Sequence, residues 1–144
     1  MIKSQKIVYI VLSLACLVIG GGIYLIYRPR HLVLFNFVPQ GCIDYFDNIC
    51  RSNDITLTHI GQFIVYNLPT FLWTSSYLII MHVICRDVYG RQRLLFIYAL
   101  PIVLLICEFL QLFHFIPGTF DIIDLFTYVI PICISLIVDK YEKV

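Results

Sequence analysis

Glu108, Gln111, Asp121 and Asp124 are the side chains whose types and spacing best suit shared chemistry. Glu108 and Gln111 stand three residues apart, as do Asp121 and Asp124, so on helices each pair shares a face. The segment His114-Phe115-Ile116-Pro117-Gly118-Thr119 between them reads as a turn that folds the second pair back on the first. Carboxylates and an amide gathered this way can hold a cation, move a proton or accept hydrogen bonds from a donor-rich ligand. Nothing that usually completes a catalytic centre accompanies them: no serine–histidine pair, no glycine loop for phosphate and no metal-spaced histidines. No catalytic residue, metal or cofactor is therefore expected. His114 reads as an interfacial side chain and His82 as a satisfied polar residue. Structural roles compete with the binding role: Thr119 or Asp121 suits a helix N-cap, and Gln111 and Asp124 suit hydrogen bonds between helices.

The elements that must position these residues are apolar. Of 144 residues, 60% are hydrophobic and 13% charged, with ten Lys and Arg against nine Asp and Glu. A soluble domain carries about a quarter charged residues. A mean hydropathy of +0.90 and a net charge of +1 point to lipid as the surrounding medium and away from nucleic acid as a partner. At about 20 residues per crossing, the chain has room for four spans and modest loops, hence one all-α, membrane-embedded domain over 1–144. Cys16, Cys85, Cys107 and Cys133 fall in or beside apolar stretches and read as small hydrophobes. Cys42 and Cys50 share a loop and can pair if it faces an oxidising compartment.

The spans are expected at about 7–27, 68–84, 94–113 and 121–138. The first is too long for a secretory h-region and reads as a retained helix. Gly20-Gly21-Gly22 within it offers another helix a close approach, or merely loosens the helix. Ile55 to Cys85 lacks any Asp, Glu, Lys or Arg and exceeds one crossing. Pro69 divides it, leaving Thr56–Tyr66 as a short surface-lying or re-entrant helix. Pro101 and Pro131 predict kinks in the third and fourth spans. The first loop, rich in aromatic residues through Leu32–Phe37 and Gly41–Ile49, is expected to lie against the membrane. Arg28 and Arg30 within it suit lipid phosphates or an anionic ligand, or simply flank the span.

Lys3, Lys6, Arg86, Arg91, Arg93, Lys140 and Lys143 fall on one side, and Arg28, Arg30 and Arg51 on the other. The positive-inside rule then sets both termini in the cytoplasm and the Glu108–Asp124 group outside.

Glu108-Phe109-Leu110-Gln111 followed by Pro117-Gly118-Thr119-Phe120-Asp121-Ile122-Ile123-Asp124 resembles the VanZ-like membrane proteins. That family has a Glu-x-x-Gln closing one helix, a turn, and an aspartate opening the next. Arg28-Pro29 after the first helix and Leu68-Pro69 before Phe71-Leu72-Trp73 are similar to the family plan too. The chain departs from it at Gly118 or Thr119, where many members carry arginine, and at Tyr128 and Pro131, where many have asparagine and then glycine. The resemblance implies a small bacterial inner-membrane protein whose outer cluster matters, in a family whose founding members are associated with resistance to the glycopeptide teicoplanin.

Three functional readings follow. The leading one is a non-enzymatic envelope role, in which the cluster engages a lipid, a lipid-linked cell-wall component or a glycopeptide. Another is a small subunit docking on a larger membrane protein, and the third an enzyme acting on lipid head groups.

Overall fold

The computed structural model describes residues 3–27, 37, 39–50, 58–117 and 120–142. Its elements are α1 (Lys3–Tyr27), α2 (Gln40–Cys50), α3 (His59–Tyr66), α4 (Leu68–Ile84), a 3-10 turn at Cys85–Asp87, α5 (Arg91–Leu112) and α6 (Ile122–Glu142). No strand occurs among the described residues. Four stretches are long and apolar enough to cross a bilayer: Ser4–Tyr27, His59–Asp87, Arg91–Leu112 and Ile122–Lys140. This is the pattern of a multi-pass membrane protein.

The α4 bounds coincide with the span expected from Pro69. Asn67 closes α3 by donating its N–H to the Phe63 carbonyl at 2.9 Å, and opens α4 by accepting from Phe71 N at 3.1 Å. Pro69 sits in the first turn of α4, where its missing N–H costs nothing within α4. Thr58 caps α3, its hydroxyl accepting from Gly61 N at 3.0 Å. Elsewhere the helices outrun the expected spans. α1 starts at Lys3, α5 at Arg91, and α6 runs on to Glu142. Hydrocarbon thickness limits the apolar stretch, whereas the backbone ladder continues through charged residues at each rim. Within the first loop, Gln40–Cys50 forms a helix that the expectation of a surface-lying loop did not specify, and Ile43 on it is buried. The proposed pairing of Cys42 with Cys50 lies outside the described residues, because the Cys50 side chain is not among them.

Two turns reverse the chain. Gly90, at φ 77°, precedes α5 in a conformation that glycine adopts without steric cost. α5 closes with His114 at φ 58°, His114 N donating to Gln111 O at 3.0 Å and Phe115 N to Leu110 O at 2.9 Å. This pair of bonds is the Schellman pattern with His114 as its left-handed residue. His114, exposed at the surface, thus ends the helix.

α4 is the centre of the bundle, in contact with α1, α5 and α6, while α5 also packs on α6. Leu78, Cys85, Ile97 and Tyr98 form the buried core, with Tyr77, Met81, Val88 and Ile132 against it. Pro101 and Pro131 are also buried, each inside its helix. Ile7, Val8, Val11, Leu14 and Val18 of α1 face outward, as do Leu95, Phe96, Ile102 and Val103 of α5. Water would penalise so broad an apolar surface; lipid does not.

Polar and small residues join α1 to α4. Ser13 Oγ donates to Ser76 O at 3.0 Å and Ser76 Oγ donates to Ser13 O at 2.8 Å, a reciprocal bond between buried serines. One turn and more towards the C terminus of α1, Gly20 faces Trp73. A Cβ at Gly20 would lie 2.8 Å from Trp73 Nε1, whereas Gly21 and Gly22 have nothing within 4 Å. Tyr24 stacks on the same indole, ring centroids 5.3 Å apart. Of the three glycines, Gly20 is the one at the helix contact.

Candidate functional site

The polar side chains inside the bundle gather at opposite ends. One end holds the α5–α6 turn and the α3–α4 break. The other, the terminal end, holds the start of α1 and the ends of α4 and α6.

At the turn end, α5 delivers Glu108 and α6 delivers Asp121 and Asp124. Glu108 is only 8% exposed, and its Oε2 is buried without a hydrogen-bond partner. Asp124 and Asp121 lie within electrostatic range of it, and the buried Tyr128 adjoins Glu108 and Asp124 in the same way. Asp124 is held from outside the two helices: Asn67 Nδ2 donates to its Oδ1 at 2.8 Å. Asn67 is itself 4% exposed and sits at the break between α3 and α4. The interrupted helix thereby brings an amide donor into a cluster of acceptors.

The sequence-derived group converges in part. Glu108, Asp121 and Asp124 share one end. Asp121 acts as a cap, its Oδ1 accepting from Ile123 N at 2.9 Å, so one of its oxygens is committed to the backbone. Gln111 is half-buried one turn beyond Glu108, and its side chain makes no hydrogen bond to the cluster among the described residues. Arg28 and Arg30 lie outside the described residues. Asn67 was missed: it stands 57 residues from Asp124 in the chain, and the available signal was an uncharged polar side chain beside a helix-breaking proline.

The terminal end holds a second network, assembled from residues that read as loop charges or isolated polar groups. Arg93 Nη2 is 2.7 Å from Asp139 Oδ1, off the N–H axis, so the contact is an ion pair more than an aligned hydrogen bond. The Asp139 side chain is 4% exposed. His82 Nδ1 lies 3.3 Å from Arg93 Nη2 and 3.5 Å from Asp139 Oδ1, while Nε2 is 2.7 Å from Ser135 Oγ. The Tyr98 hydroxyl, at 3.0 Å, extends the chain from Ser135. A guanidinium only donates, so the Arg93 contact favours Nδ1 as acceptor and Nε2–H as donor to Ser135. The network ties α4, α5 and α6 together with opposite charges compensated.

The two ends differ in charge balance. At the terminal end the buried Asp139 carboxylate faces a guanidinium, although neither of its oxygens accepts an aligned hydrogen bond. At the turn end carboxylates face one another and one amide, and a buried acceptor lacks a donor. Such a site attracts a cationic or donor-rich group. No group of three or more His, Cys, Asp or Glu among the described residues is arranged to hold a metal ion. Comparisons with protein-family models, curated proteins and solved structures gave no match.

Proposed function

We propose that this chain is a VanZ-like membrane protein of the bacterial inner membrane, with both termini cytoplasmic, whose turn-end cluster engages an envelope ligand without catalysing a reaction. The observation that carries the reading is Glu108, a buried carboxyl with an unpartnered oxygen beside Asp124. Burying an unpaired acceptor costs about 1–3 kcal/mol, a cost that a ligand's donor would recover. Seven Lys and Arg on the terminal side against three on the other support an outward-facing cluster. The ligand class is a head group rich in hydroxyl or amine donors: an envelope lipid, a lipid-linked cell-wall component or a glycopeptide. Asn67 positions Asp124, Asp121 caps α6, and Glu108 supplies the open acceptor.

Native mass spectrometry of protein released from its own membranes tests this reading. Wild type is expected to retain a polar lipid that Glu108→Gln and Asp124→Asn lose, with melting in detergent unchanged within a few degrees. Identical lipid profiles in folded wild type and both variants would overturn the reading.

A second reading, a small subunit docked on a larger membrane protein, is favoured by the open space at Gly21 and Gly22, where nothing lies within 4 Å. Crosslinking from Gly21→Cys in native membranes tests it, and a protein that stays monomeric there would rule it out.

A further inference from the structure

α1 and α6 both pack on α4, and towards the terminal end they leave part of α4 uncovered between them. A cavity of about 600 Å³ occupies the gap. Its floor is a stripe of α4, Ser75, Ile79 and His82, spaced four and three residues apart and therefore on one face, continued by Arg86 in the 3-10 turn that follows. Ile134 and Val138 of α6 form one wall, and Gln5 and Tyr9 of α1 the other.

The cavity is graded. Towards mid-bundle its floor and walls are apolar at Ile79 and Ile134, and the Ser75 hydroxyl beyond them is committed to the Phe71 carbonyl at 2.8 Å. One turn further the imidazole of His82 faces it, held by Ser135. Arg86 closes the terminal end in company with Gln5 and Tyr9. Among the described lining residues Arg86 carries the charge, and there is no carboxylate. Asp139, the nearest buried acid in the network behind His82, is already matched to Arg93. A cationic, donor-bearing mouth over an apolar interior complements an anionic amphiphile. Its size falls within the roughly 300–1,000 Å³ of small-molecule sites. Its mouth, between the first turns of α1 and the last turns of α4 and α6, is at the depth where phospholipid head groups meet acyl chains if these helices cross a bilayer.

We propose that this cavity seats one anionic phospholipid from the leaflet at the terminal end. The phosphate rests on Arg86 with Gln5 and Tyr9 as neutral donors, and one acyl chain lies along Ile79 and Ile134. The proposal requires that the four helices cross a bilayer, and it is independent of any ligand at the turn-end cluster.

Delipidated full-length protein in detergent is titrated with phosphatidylglycerol or with phosphatidylcholine of identical chains, and bound lipid is counted by native mass spectrometry. One phosphatidylglycerol is expected to bind about fivefold tighter than phosphatidylcholine, as befits one basic side chain on an anionic head. Arg86→Gln is expected to erase that preference while leaving phosphatidylcholine binding unchanged. A second measurement needs no variant: phosphatidylglycerol carrying a diazirine in its acyl chain, irradiated with wild-type protein in nanodiscs, is expected to label the peptides containing Ile79 and Ile134. Equal retention of the two lipids, a preference that survives Arg86→Gln, or labelling confined to the outward faces of α1 and α5 would each overturn the proposal.

Discussion

Replacing Asp139 by alanine leaves Arg93 inside the bundle with its counter-ion gone. Breaking a buried pair from one side costs about 3–5 kcal/mol, because the remaining charge stays desolvated. Two features lower the figure here. The Arg93 side chain is 14% exposed, and it lies in the first turn of α5, where a long side chain can reach the interface. About 2–3 kcal/mol is therefore expected for Asp139→Ala, and a similar loss for Arg93→Ala. The double variant Arg93→Met with Asp139→Leu is expected to recover most of the loss, since apolar replacement of a whole buried pair is often neutral. Unfolding in bicelles, by steric trapping or by SDS titration, measures wild type, Asp139→Ala, Arg93→Ala and the double Arg93→Ala with Asp139→Ala as the four corners of a cycle, with the Met/Leu pair as a separate comparison. His82 shares the same carboxylate oxygen at 3.5 Å, so repeating the cycle on His82→Ala isolates the Arg93–Asp139 term. Additive single losses, with a coupling below about 0.5 kcal/mol, would refute the claim that this pair joins α5 to α6.

The α1–α4 contact makes further predictions. Gly20→Ala drives a methyl into Trp73 and is expected to destabilise by about 1–3 kcal/mol, partly relieved by Trp73→Phe; Gly21→Ala, in open space, is expected to be neutral or mildly stabilising, as thermal unfolding in detergent would report. Ser13→Ala and Ser76→Ala are expected to couple by about 0.6–1.7 kcal/mol in a double-mutant cycle, and additive losses would show that the reciprocal bond contributes nothing.

How much the sequence disclosed depended on range along the chain. α4 was legible because Pro69 marks its start and Arg86 follows its end, both local signals. The offsets at Lys3, Arg91 and Glu142 arise because charged residues bound the hydrocarbon without ending a helix. α2 is less legible because its aromatic content suggests only a surface-lying loop, whereas Cys42, Phe46, Ile49 and Cys50 follow helical spacing. Glu108 and Asp124 were recognisable from paired spacing across a short turn. Asn67 was not, because its place opposite Asp124 depends on how α4 packs against α6. Arg93 and Asp139 illustrate the same limit from the other side. Each reads as a loop or terminal charge, and only the packing of α5 on α6 turns the two into a buried pair. His82 reads as a satisfied polar residue in the sequence, and its contacts with Ser135, Arg93 and Asp139 supply the partners that pattern alone does not identify.

The envelope role depends on a chain that crosses the membrane with its turn end outside. Phe115, 76% exposed in the α5–α6 turn, and Tyr89, 85% exposed before α5, mark opposite ends of the bundle. Phe115→Cys and Tyr89→Cys on a cysteine-free background, treated in intact cells with a membrane-impermeant thiol reagent, compare the two directly. Labelling at position 115 and protection at 89 is the predicted result. Labelling at 89 with protection at 115 would invert the topology and place the Glu108–Asp124 cluster in the cytoplasm, contradicting the envelope role.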